Sequence, residues 1–201
     1  MTVRNHNRIA MYGAIILGLG FALNVQAQTT GTETRRDVHQ QERIDAGLKS
    51  GQLTTKEAAQ LERQESRIDR TEQRDMKNGS LSAAEKAKIQ AMQNRSNRAI
   101  YTQKHDAQTG NGDSRSSERM QADVSRDVRQ ERRIHNGIDH GSLTNSEAAG
   151  LEGRESHVDR TEAHTGANGN VNWREQRYVQ RTENRDGTRI WRKKHNETQQ
   201  H

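Results

Sequence analysis

The chain repeats itself, and that repetition constrains its fold more than any other feature. Sliding the sequence by about 90 residues lays residues 37–105 on 127–195 without a gap, with about 29 of the 69 positions identical. One copy reads GQLTTKEAAQLERQESRIDRTE from Gly51, the other GSLTNSEAAGLEGRESHVDRTE from Gly141. The endings also agree: Asn94, Arg95, Ile100, Lys104 and His105 recur as Asn184, Arg185, Ile190, Lys194 and His195. Between the copies, residues 108–117 are rich in Gly and Ser and have no apolar period, which predicts a flexible linker. The expected order is a tail at 28–36, a module at 37–107, the linker, a second module at 118–195 and a short tail at 196–201.

Residues 1–27 have another purpose. Arg4, His6 and Arg8 precede an apolar run from Ala14 to Val25, and Val25-Gln26-Ala27 puts small residues at −3 and −1 of a signal-peptidase site. The run is shorter than the roughly 20 residues that span a bilayer. Cleavage after Ala27 and a periplasmic or secreted protein are therefore expected, with no stable membrane insertion afterwards. Beyond Ala27, Leu, Ile, Val and Phe make up only about 11% of the chain, below the roughly 20% that a sizeable core needs. With no Cys, no disulfide can compensate.

Each copy contains a shorter echo. Gly, then Leu or Val two residues on, then a capping residue and finally Glu occur as Gly51-Leu53-Thr54-Glu57, Gly79-Leu81-Ser82-Glu85, Gly141-Leu143-Thr144-Glu147 and Gly169-Val171-Asn172-Glu175. The Gly ends one helix in a left-handed conformation, and the capping box opens the next. This predicts an all-α fold with two tandem modules of about three helices each and a slim, coiled-coil-like seam. Val38, Ile44 and Leu48, then Leu61 and Ile68, then Ile89, Met92, Ser96, Ala99 and Gln103 form the expected stripes. Around Asp186-Gly187 a hairpin of residues 178–183 with 188–193 competes with the last helix.

Few residues advertise chemistry. The Gly-to-Glu segments resemble the second half of an EF-hand loop, but the first halves lack its acidic ligands, so helix capping explains them better. His135, His140, His157 and His164 in the second copy are the metal-ligand candidates, at spacings of five and seven that do not suit one helical face. Tyr101 with His105 and Trp191 with His195 are four apart and share a face, and with Lys104 and Lys194 they mark the candidate interaction surface. The pairs Glu62/Glu65 and Glu152/Glu155 lie among Arg63, Arg67 and Arg154 and read as solvated helix faces. No nucleophile elbow, phosphate loop or His-Glu-x-x-His pair is present, which points away from an enzyme. No cofactor is expected, and mixed charge argues against specific nucleic-acid binding.

GQLTTKEAAQLERQESRIDRTE followed by NGSLSAAE and NRSNRAIYTQKHD resembles a group of small secreted proteobacterial helical proteins, here duplicated. A weaker likeness runs to periplasmic stress proteins of the Spy and CpxP type, through the Leu-Thr-x-x-Gln helix start that here ends in Glu57 and Glu147. With the absence of catalytic motifs, these likenesses lead to the expectation of a non-enzymatic envelope protein that is stress-related or chaperone-like, with a protein or envelope component as partner, and the slim seam leaves room for a homo-oligomer. The alternative is periplasmic binding of copper, nickel or zinc through the second copy's histidines.

Overall fold

The computed structural model describes residues 22–196 and is all-helical over them: α1 (Ala22–Lys49), α2 (Thr55–Asp75), α3 (Ala83–Lys104), α4 (Arg115–Asp139), α5 (Asn145–Thr165) and α6 (Trp173–Lys194). No described helix is long and apolar enough to cross a membrane. Most of the apolar leader lies outside the described residues, and α1 is continuous through Ala27–Gln28.

The four turns form as their residues dictate. Thr54, Ser82, Thr144 and Asn172 are extended N-caps, each closing a reciprocal capping box with the Glu three residues on. Gly51 at φ +71° and Gly141 at φ +68° take the left-handed conformation that ends α1 and α4. Leu53 and Leu143, just before their caps, are buried, and their N–H groups donate to Gly47 O and Gly137 O.

The tertiary arrangement departs from two tethered modules. Two helices of the first copy pair most extensively with their counterparts in the second, α2 with α5 and α1 with α4, while α3 and α6 flank them, α3 against α1 and α2 and α6 against α4 and α5. At the α2–α5 crossing Ser66 Oγ donates to Ser156 O and Ser156 Oγ donates to Ser66 O, both at 2.8 Å. These serines are repeat mates, so a pseudo-two-fold axis passes between them. The cores mix accordingly: Ile44, Leu48, Leu61 and Ile100 pack with Met120, Val124 and Val171, while Met76 packs with Ile134, Leu143, Leu151 and Ile190. Neither copy has enough apolar surface alone, and each borrows from the other.

Four sequence expectations change. Residues 28–36 belong to α1, with Thr30, Glu33 and Thr34 buried: Thr34 Oγ1 lies 3.2 Å from His135 Nδ1 of α4, and Glu33 accepts from Gln90 and Gln93 of α3. The 108–117 segment is pinned, with Gly110 N donating to Gly51 O at 2.8 Å, and α4 begins within it, capped by Ser114. The hairpin is absent from the described residues, since α6 runs through Gly187, whose carbonyl accepts from Arg133. The α3 seam is Ile89, Gln93, Ser96 and Ile100, not the stripe through Met92 and Ala99, because polar Gln93 and Ser96 find partners inside.

The shared core predicts how a lost cap is felt. Thr144→Ala should cost about 0.5–2 kcal/mol and lower one cooperative melt of the whole chain, followed by circular dichroism. Two separate transitions, with only one displaced, would contradict the shared core.

Candidate metal centre

The centre of the bundle is acidic. Glu62, Glu65, Asp69 and Glu72 on α2 are spaced three, four and three apart, and Glu152, Glu155, Asp159 and Glu162 repeat the spacing on α5. That step keeps four side chains on one helical face, and all eight are buried. The α2–α5 crossing turns the two faces towards each other. Glu33 and Asp37 of α1, Asp123, Asp127 and Glu131 of α4, and Glu183 and Asp186 of α6 are buried with them. The apolar clusters close the two ends, and the carboxyl groups fill the middle.

Burial on this scale moves protonation. Loss of water raises the pKa of Asp37 to about 7, of Glu62 to about 8, of Asp123 to about 8 and of Glu183 to about 7. Glu72, Asp127, Glu131, Glu155, Asp159 and Glu162 are raised well above the ordinary carboxylate range, by burial first and by neighbouring carboxylates second.

Cations and donors reach the margins. Arg126 Nε lies 3.2 Å from Glu183 Oε2, and Arg154 Nη1 lies 2.7 Å from Asp186 Oδ1. Gln41 Nε2 donates to Glu62 Oε2 at 2.9 Å, Gln93 Nε2 to Asp37 Oδ1 at 2.8 Å, and the Ser96 hydroxyl to Glu65. Deeper in, both oxygens of Asp127, Glu152 and Glu162 are buried with no hydrogen-bond donor, and so is Gln41 Oε1. Leaving ionised groups in this state is costly, so each must carry a proton, share one or meet a cation.

Two places are shaped for a cation. Oxygens of Glu62, Asp127 and Glu162 lie within 4.8 Å of one another, and so do those of Asp69, Glu131 and Glu152. Each set takes one residue from α2, one from α4 and one from α5, so facing helices of the bundle supply the ligands. Ligands that are oxygen only, without imidazole or thiolate, suit hard cations such as Ca²⁺, Mg²⁺ or Mn²⁺.

The histidines behave differently. His140, His157 and His164 are exposed, and His135 is half-buried between Thr34 and Asp139. Among the described residues none joins a cluster of metal-ligand spacing. The shared helix endings do form the expected pairs: Tyr101 stacks on His105 with ring centroids 4.1 Å apart, and Trp191 on His195 at 4.6 Å. Tyr101 and Trp191 remain exposed, while Ile100 and Ile190 beside them are buried. Burial lowers the Lys104 and Lys194 pKa values, with Arg43 and Arg133 adding like-charge repulsion.

The buried acids are what sequence reasoning misassigned. Glu62, Glu65, Glu152 and Glu155 lie in the core, not on solvated faces, since their face of each helix is the one the crossing covers. Their three-four-three spacing, duplicated, was the available signal. No protein family, curated protein or solved structure matches this chain.

The raised pKa values fix the sign of the pH response. The folded chain binds more protons than the unfolded one, so this part of its stability is present below the ordinary carboxyl range near pH 4 and is lost as pH rises through about 7 to 8. In chelator, the melting temperature should fall between pH 5 and pH 8; a rise over that interval would contradict the acidic core.

Proposed function

We propose that this is a non-enzymatic cation-binding protein of the periplasm or cell exterior, holding a hard, oxygen-preferring cation within its carboxylate core. The observation that carries the proposal is the convergence of Glu62, Asp127 and Glu162, and of Asp69, Glu131 and Glu152, as buried carboxylates with oxygens that no donor reaches. A cation would offset at once the burial cost and the mutual repulsion of each set. It would also tie α2, α4 and α5 together, where apolar contacts are few. The extracytoplasmic setting rests on the leader at residues 1–27. This reading keeps the metal-handling idea but moves it from the histidines to the acids.

One observation favours a second reading, the capture of a protein or envelope component. Trp191, stacked on His195, lines an open cleft between α4 and α6 together with Arg126, Arg129 and Arg133. Exposed aromatic surface with a guanidinium rim suits an acidic partner. Suppression of client aggregation at a fixed calcium level would test that role separately.

The primary test is a melt in chelator against calcium, manganese and zinc near pH 7. Calcium or manganese should raise stability, by about 2.7 kcal/mol at one hundred times its dissociation constant, and Glu162→Gln should cut the gain. A shift with zinc alone that disappears when His135 and His140 are replaced by Asn would overturn this in favour of a histidine site.

A further inference from the structure

The pseudo-two-fold that relates the two halves ought to generate four convergent sets, and among the described residues there are two. Ninety residues away, Glu62, Asp127 and Glu162 map onto Glu152, Asp37 and Glu72, while Asp69, Glu131 and Glu152 map onto Asp159, Gln41 and Glu62. The second image has an amide in place of an acid, Gln41 for Glu131; the first keeps three acids but has the amide of Gln93 beside it, where the other half has Glu183. Gln93 Nε2 donates to Asp37 Oδ1 at 2.8 Å and to Glu72 Oε1 at 3.3 Å, and Gln41 Nε2 donates to Glu62 Oε2 at 2.9 Å. The repeat mates of these amides are Glu183 and Glu131.

The difference is chemical, not only formal. A glutamine offers two N–H groups that can bridge a pair of carboxyls, whereas an ionised glutamate offers none. In the first half, Asp37 and Glu72 face the fixed donor of Gln93. In the second half, Asp127 and Glu162 face Glu183 instead, and all four of their oxygens are fully buried without a donor. The second half has therefore given up the hydrogen-bond solution while adding acid, which leaves protons or a bound cation to offset the charge.

We infer that the chain binds two hard cations, both between α2, α4 and α5, that Gln41 leaves the image of the second set one carboxylate short, and that Gln93 is a built-in donor to Asp37 and Glu72 where their counterparts Asp127 and Glu162 meet a cation. This rests on the cation-binding reading above, and it makes the residue at positions 93 and 183 decide how many ions are held. Glu183 is a positioning residue here. It lies outside the convergent set, yet it determines whether Asp127 and Glu162 meet a donor or a cation.

Calcium titrated calorimetrically into the full chain near pH 7, with lanthanum as a trivalent arm, tests the inference. The natural chain should take two ions. Glu183→Gln, which installs the first half's residue and should fold at least as well, should take one. Gln93→Glu, which installs the second half's residue, should take three. Two ions in all three proteins, or four in the natural chain, would overturn the amide assignment while leaving cation binding intact. No heat and no melting shift in the natural chain would overturn the cation reading itself. Should Gln93→Glu fail to fold, Glu183→Gln decides alone: one ion supports the inference and two overturn it.

Discussion

Removing carboxylates from water in the seam between α2 and α5 is the constraint on which everything else in this protein depends. A conventional bundle places apolar residues at the positions that alternate three and four apart; here those positions carry Glu62, Glu65, Asp69 and Glu72, answered by Glu152, Glu155, Asp159 and Glu162. Packing and capping must hold the helices together against a centre that repels itself whenever it ionises. Protons relieve that repulsion up to about pH 7 to 8. A bound cation would do so at neutral pH, and the oxygens left without donors mark where it would sit.

The duplication explains how such a centre can be closed at all. One copy has an acidic face on its middle helix and few apolar residues, and alone it would have nothing to set against that face. Two copies related by a pseudo-two-fold put the two faces together, with the reciprocal Ser66–Ser156 hydrogen bonds at the crossing and one mixed apolar cluster near each end. The small side chains at the crossing let the backbones approach closely. The copies have since diverged at the lining, with Gln41 and Gln93 facing acids in one half and Glu131 and Glu183 doing so in the other.

Local signals in the sequence were readable and tertiary ones largely were not. The four capping boxes, the left-handed Gly51 and Gly141 and the stacked Tyr101/His105 and Trp191/His195 pairs follow from spacing alone, because each depends only on neighbours within about one turn. The location of Glu62 and Glu152 does not. Charged residues are ordinarily exposed, and only the pairing of one copy with the other hides this face. The same pairing sets Thr34 against His135, while Gly110 is tied to Gly51 and Glu33 to α3 within the first copy; composition alone would leave these residues as tail and linker. A duplicated acidic stripe with helical spacing is the pattern that would have pointed to the core.

The state of the buried carboxyl groups can be observed directly by infrared difference spectroscopy near neutral pH, comparing protein in chelator with protein in calcium. A core that must be either protonated or metallated predicts a carbonyl band from un-ionised acid in chelator. That band should give way to carboxylate bands when calcium is added, and Glu162→Gln should reduce the change. A cation-free protein that stays folded at neutral pH with only carboxylate bands, unchanged by calcium, would contradict it.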